Sequence, residues 1–161
     1  MYGQNGTNTY FNLDCMRHFK NFAANASTYG SNVTFKLNTN ISLSGKWSPI
    51  EKFSATLDGG NKTISNLAIN IPQSDSVAEY HGFIARNYGT IRQLNFVGID
   101  ITASPHHTDK AINVGGVVGT NAGTIYKCTA QDYYIFGNGA VGFCEGATIG
   151  STNWTPTGLY D

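Results

Sequence analysis

Gly116-Val117-Val118-Gly119-Thr120-Asn121-Ala122-Gly123-Thr124-Ile125 repeats the pattern of Gly82-Phe83-Ile84-Ala85-Arg86-Asn87-Tyr88-Gly89-Thr90-Ile91. In both, a short apolar strand leads into a polar turn with Asn and Gly, and Thr-Ile opens the next strand. Leu57-Asp58-Gly59-Gly60-Asn61-Lys62-Thr63-Ile64-Ser65-Asn66-Leu67-Ala68-Ile69 reads as an earlier copy, and a fourth runs from Val141 through Gly146-Ala147-Thr148-Ile149. On this alignment equivalent isoleucines are 27 residues (Ile64 to Ile91), 34 (Ile91 to Ile125) and 24 (Ile125 to Ile149) apart. A recurring unit of this length is the signature of a stacked repeat. Loops of different length between constant strands account for the uneven steps.

Each copy continues into a stretch that alternates. Leu67, Ile69 and Ile71 recur every second residue, as do Leu94 with Phe96 and Ile99 with Ile101. Successive strand residues face opposite sides, so these side chains share one face. One copy cannot bury that face alone, whereas stacked copies form a continuous core. The pattern therefore predicts an all-β chain, a right-handed parallel β-helix of about four to five coils. A sandwich built from hairpins, the structural alternative, would show turns every 8 to 12 residues and no repeat. Gly and Asn in the turns are expected to supply positive φ angles.

Upstream, Leu13, Met16, Phe19, Phe22 and Ala23 recur at three and four, the spacing of one helical face. The sequence predicts a capping helix over about 11–27, with Asn12 as N-cap and Asp14 in the first turn. Val33–Leu37 and Ile41–Leu43 then begin the first coil. The 161 residues read as one domain, with repeat coils over 32–150 and a tail or partial coil over 151–161.

Composition narrows the partners. Ten basic residues balance ten acidic ones and 12% of residues are charged, which leaves no positive stripe for nucleic acid. No apolar run reaches the roughly 20 residues that cross a bilayer as a helix. The polar stretch Met1–Tyr10 does not read as a signal sequence, so an exported protein is expected to carry its signal elsewhere. Cys15, Cys128 and Cys144 lack metal-ligand spacing and are expected to serve as small buried hydrophobes. No cofactor is implied.

The two runs quoted first resemble the GLUG-motif repeats of bacterial surface proteins, including the N-terminal regions of zinc-dependent immunoglobulin A1 peptidases. Gly116–Ile125 follows the signature closely, Gly82–Ile91 departs from it at Ala85, and Trp47–Leu67 is similar to the usual opening coil. The resemblance spans roughly residues 10–150. It implies an exported, adhesion-associated module of a longer chain, located outside the cell or on its surface. The peptidases' zinc chemistry belongs to an HExxH motif absent from this sequence.

Carbohydrate-active β-helices work with clustered carboxylates, whereas the acids here are scattered. Asp58, beside Lys62, and Asp100, placed to pair with Asp132 or Arg92, are the candidates for catalysis; Asp58-Gly59 also reads as a plain turn. Adjacent His106 and His107 near Asp109 supply too few converging donors for a metal site. Binding candidates are the aromatic residues Tyr126, Tyr133 and Tyr134, with Tyr80, His106 and His107 on two long loops. Tyr133 and Tyr134 are neighbours and cannot both face inward. The expected function is a noncatalytic adhesin-type module that binds glycan or host protein, or spaces other domains. A polysaccharide lyase or hydrolase is the alternative.

Overall fold

The alternating apolar stretches form long strands that run side by side in parallel. The computed structural model describes residues 2–5, 7–72, 80–103, 112–136 and 139–142. In chain order these form β1 (Tyr2–Asn5), β2 (Asn8–Leu13), α1 (Met16–Asn25), β3 (Val33–Leu37), β4 (Ile41–Ser42), β5 (Ile50–Phe53) and β6 (Thr56–Ile71). There follow β7 (Tyr80–His81), β8 (Ile84–Asn87), β9 (Thr90–Ala103), β10 (Ile112–Gly115), β11 (Val118–Asn121), β12 (Thr124–Tyr126), β13 (Thr129–Phe136) and β14 (Gly139–Gly142).

The described residues form three sheets. The long one has the order β1-β2-β3-β6-β9-β12, with β13 also on β9 and β4 on β6; the shorter ones are β11-β8-β5 and β14-β10-β7. Among the described residues, β1 with β2 is antiparallel and every other pair is parallel. Hairpins of a sandwich would have produced the opposite balance. Like residues stack from rung to rung: Phe11, Phe35, Leu57, Ile91 and Ile125 form one ladder. Ile69, Ile101 and Ile135 form another, and all of these but half-buried Phe11 are buried.

The pairing corrects the repeat alignment. Ile91 lies beside Leu57, and Ile64 lies beside Phe96. Thr56, Thr90 and Thr124 are the equivalent threonines, so the step is 34 residues twice over. The same step relates Ile50, Ile84 and Val118, and also Asn95 and Thr129. Leu57-Asp58-Gly59-Gly60 was matched to the wrong half of the unit because its Gly-Asn cluster looks like the turn at Asn87-Tyr88-Gly89. The fourth copy, beyond Gly142, lies outside the described residues.

The turns at Gly89 and Gly123 are held by something other than positive φ. At Gly89 a Cβ would collide with the Ala55 carbonyl oxygen, and at Gly123 with that of Gly89. Glycine is needed there for close backbone approach. Thr90 N donates to Ala55 O at 3.0 Å, and Thr124 N donates to Gly89 O at 2.8 Å. Asn87 and Asn121, 0% and 8% exposed, bond to each other from Nδ2 to Oδ1 at 2.7 Å. Each also accepts the N–H two residues on, Gly89 at 3.1 Å and Gly123 at 3.2 Å. The expected positive φ is present in the first of the copies, at Gly60 and Asn61, and recurs where the long strands bend, at Asn66, Gly98 and Asp132 on successive rungs, and at Gln93 and Lys127.

The helix is shorter than expected, Met16–Asn25, and Cys15 occupies the N-cap without a side-chain bond. Asn12 lies inside β2, where Phe11 and Leu13 pair with Phe35 and Leu37. Two places in apolar ladders outweigh helical periodicity for those residues. Asp14 accepts from Asn38 Nδ2 at 2.7 Å and stands outside the helix. The parallel stack thus begins at β2, ahead of the expected first coil. Phe19 and Phe22 fill the core next to Phe83, Trp47, Phe35 and Phe53, with ring centroids 4.8–6.3 Å apart. Trp47 also donates Nε1–H to Phe83 O at 2.9 Å, which makes it a packing residue.

Cys128 is buried as expected and Cys15 is partly exposed; Cys144 lies outside the described residues. Burial pushes the Cys128 thiol up from 9.0 to about 11.

Asn87→Ala should cost about 1–3 kcal/mol in urea unfolding, because Asn121 and the Gly89 amide lose a buried partner. An equal midpoint for mutant and parent would remove the asparagine pair from the list of stabilising contacts. The folded state holds the Cys128 proton more tightly than the unfolded chain. Its contribution should therefore be complete below pH 9.0 and fall by about 2–3 kcal/mol as pH rises through 11. Stability curves of Cys128→Ala and parent that stay parallel across that window would contradict it.

Candidate functional site

With apolar residues turned inward, the long sheet presents its intervening residues to solvent in columns. One is a row of hydroxyls, Thr34, Thr56, Thr90 and Thr124, with Tyr10 beside Thr34. The next, two positions along each strand, is Asn12, Lys36, Asp58, Arg92 and Tyr126. Farther along, Ala68, Asp100 and Tyr134 form a third.

Asp58 is therefore the partner of Arg92, at 3.0 Å, and its other oxygen accepts the Gly60 N–H at 3.0 Å. The bond to Gly60 is the expected Asp-Gly turn, while the expected neighbour Lys62 is replaced by Arg92 because the strand is irregular between Asp58 and Lys62. Asp100 is exposed and faces Ala68 and Tyr134 rather than Asp132 or Arg92; its Oδ1 accepts from Thr102 Oγ1 at 3.5 Å. The structure does not bring the two candidate carboxylates together, since Asp58 and Asp100 stand in different columns. Among the described residues, no three His, Cys, Asp or Glu side chains converge as metal ligands.

Of the aromatic candidates, Tyr126 is 50% exposed and Tyr134 44% exposed, whereas Tyr133 packs against the core beside Ile99. Tyr80 is half-buried in β7. His106 and His107 lie outside the described residues. Tyr88, 49% exposed, was not anticipated. It sits in the turn before Thr90, under the Lys52 ammonium at 5.6 Å from its ring centroid. The same arrangement occurs at Tyr126 with Lys127, 5.2 Å, and at Tyr10 with Lys36, 5.9 Å. A correct alignment of Thr56-Leu57-Asp58 with Thr90-Ile91-Arg92 and Thr124-Ile125-Tyr126 would have exposed the column in the sequence.

Two cavities flank the helix. One of about 240 Å³ is lined by Phe11, Phe22, Tyr29 and Phe35, together with His18 and Asn21. The other, about 200 Å³, lies between Met16, Lys20, Leu43 and Trp47.

No protein-family model matches the chain, and no solved structure matches it. Among curated proteins, one from Haloquadratum walsbyi is 30% identical over 156 residues. That protein is halomucin. The match takes in 88% of this chain and spans about 2% of halomucin's length. No helix among the described residues is long and apolar enough to cross a membrane.

The ion pair at the centre of the column is partly shielded, with the Asp58 side chain 15% and Arg92 43% exposed. A double-mutant cycle with Asp58→Asn and Arg92→Gln should give a coupling of about 0.5–1 kcal/mol. Additive effects would show the two charges to be independent.

Proposed function

We propose that this chain is a right-handed parallel β-helix of the GLUG-motif kind, serving as a noncatalytic glycan-binding module of an extracellular surface protein. One observation carries the reading: Tyr126 and Tyr134 are held half-exposed on rigid rungs of the sheet, where each can offer a ring face to a sugar. The 34-residue step that links Ile50, Ile84 and Val118 and links Thr56, Thr90 and Thr124, the predominance of parallel pairs and the stacked apolar ladders support the β-helix. The similarity to halomucin, whose name marks it as mucin-like, favours a surface setting within a longer chain. Tyr80, His106 and His107 remain secondary binding candidates, and a host protein is the second class of partner.

The lyase or hydrolase alternative is less favoured by Asp58. A carboxylate already bonded to Arg92 and to the Gly60 amide is occupied in holding its turn, and Asp100 stands in another column. Incubation with a panel of polysaccharides should give retention without chain cleavage, and Asp58→Asn should leave retention in place. Cleavage that disappears in Asp58→Asn or Asp100→Asn, with the fold intact by circular dichroism, would make the chain an enzyme.

A further inference from the structure

We infer that the outer face of the long sheet takes an extended anionic polysaccharide, lying across the strands along the column from Lys36 to Tyr126 and its flanking threonines. The inference rests on the glycan-binding reading above and names both the site and the ligand class.

The first support is spacing. Neighbouring strands lie about 4.8 Å apart, so the threonine row offers one hydroxyl at each such interval over four consecutive rungs. That interval is close to the rise per sugar of an extended polysaccharide, so hydroxyl contacts keep step with the ligand. Each Thr and its neighbour two residues on flank a buried residue, so both columns face outward: Phe35 lies between Thr34 and Lys36, and Ile91 between Thr90 and Arg92. A parallel sheet backed by a packed core holds the row without any ordering on binding.

The second support is charge. Acids and bases balance over the whole chain, ten of each. The column, together with Lys127, carries Lys36, Arg92 and Lys127 against the single carboxylate Asp58, which Arg92 already neutralises. The remaining charge is positive and lies toward the two ends. At both ends an ammonium sits over a tyrosine ring, Lys36 on Tyr10 and Lys127 on Tyr126. Such a pair suits an acidic sugar, whose ring lies against an aromatic face or edge while its carboxylate or sulfate meets the ammonium. A neutral glycan would use the rings and leave the cations idle.

The test is affinity electrophoresis of the full chain through gels containing alginate, hyaluronan or, for comparison, neutral dextran and hydroxyethyl cellulose. Retardation is expected in the two acidic polymers and should shrink as salt is raised. Lys36→Ala and Tyr126→Ala, both exposed and so compatible with folding, should each weaken the acidic interaction about five- to tenfold. Lys52→Ala, an exposed lysine on β5 in a different sheet, should leave it unchanged. Retardation that is equal in neutral gels, or that survives Lys36→Ala and Tyr126→Ala while Tyr134→Ala abolishes it, would overturn this site and leave the glycan-binding reading standing. No retardation in any gel would overturn both.

Discussion

Backbone packed against backbone at Gly89 and Gly123 is the constraint from which the rest of the structure follows. There the chain passes so close to the preceding rung that no side chain fits, and the Thr90 and Thr124 amides bond directly to carbonyls 35 residues earlier, Ala55 and Gly89. Contact this tight admits one register. A slip by a single residue would turn every apolar side chain of β6, β9 and β13 outward. The asparagine pair reinforces the same choice, since a buried amide tolerates neither a missing partner nor a shifted one. Once the turns are fixed, the isoleucine and phenylalanine ladders and the outward columns are settled together.

Much of the architecture was legible in the sequence, because alternation has only one physical reading. Leu67, Ile69, Ile71, Leu94, Phe96, Ile99 and Ile101 were expected inside and are buried. The parallel sense of the strands came from the repeat itself. What misled was the turn chemistry. The Gly59-Gly60-Asn61 cluster has the composition of the Asn87-Tyr88-Gly89 turn, yet Gly60 and Asn61 bend a strand through positive φ while Gly89 makes room for a neighbour. The two uses of glycine are indistinguishable by residue type. They separate only when the threonines before each buried aliphatic residue are brought into line.

The helix shows a different limit. Its apolar spacing was real, and Phe19 and Phe22 are buried as that spacing required. Its start was misplaced because Leu13 satisfies a helical spacing with Met16 and also alternates with Phe11. Only the neighbouring strand β3, with Phe35 and Leu37 waiting at the matching positions, decides between them. The candidate site was less legible still. Tyr126 was recognisable as an outward aromatic, and one of Tyr133 and Tyr134 had to be, but Arg92, Lys36 and Tyr88 gain their meaning from residues on other rungs. A single sequence carries no local sign of such neighbours.

The parallel stacking also gives the chain a mechanical character. In the long sheet, the hydrogen bonds between rungs point along the direction in which the rungs succeed one another, from β2 through β3, β6 and β9 to β12. A load applied along that direction meets the rungs in series, so each ladder feels the whole force and can open separately. A domain of this design would yield in steps of a few tens of residues, lengthening under tension while the rungs still closed keep their shape. For a protein exposed to flow or to a moving partner, that is the behaviour of a tether with some give.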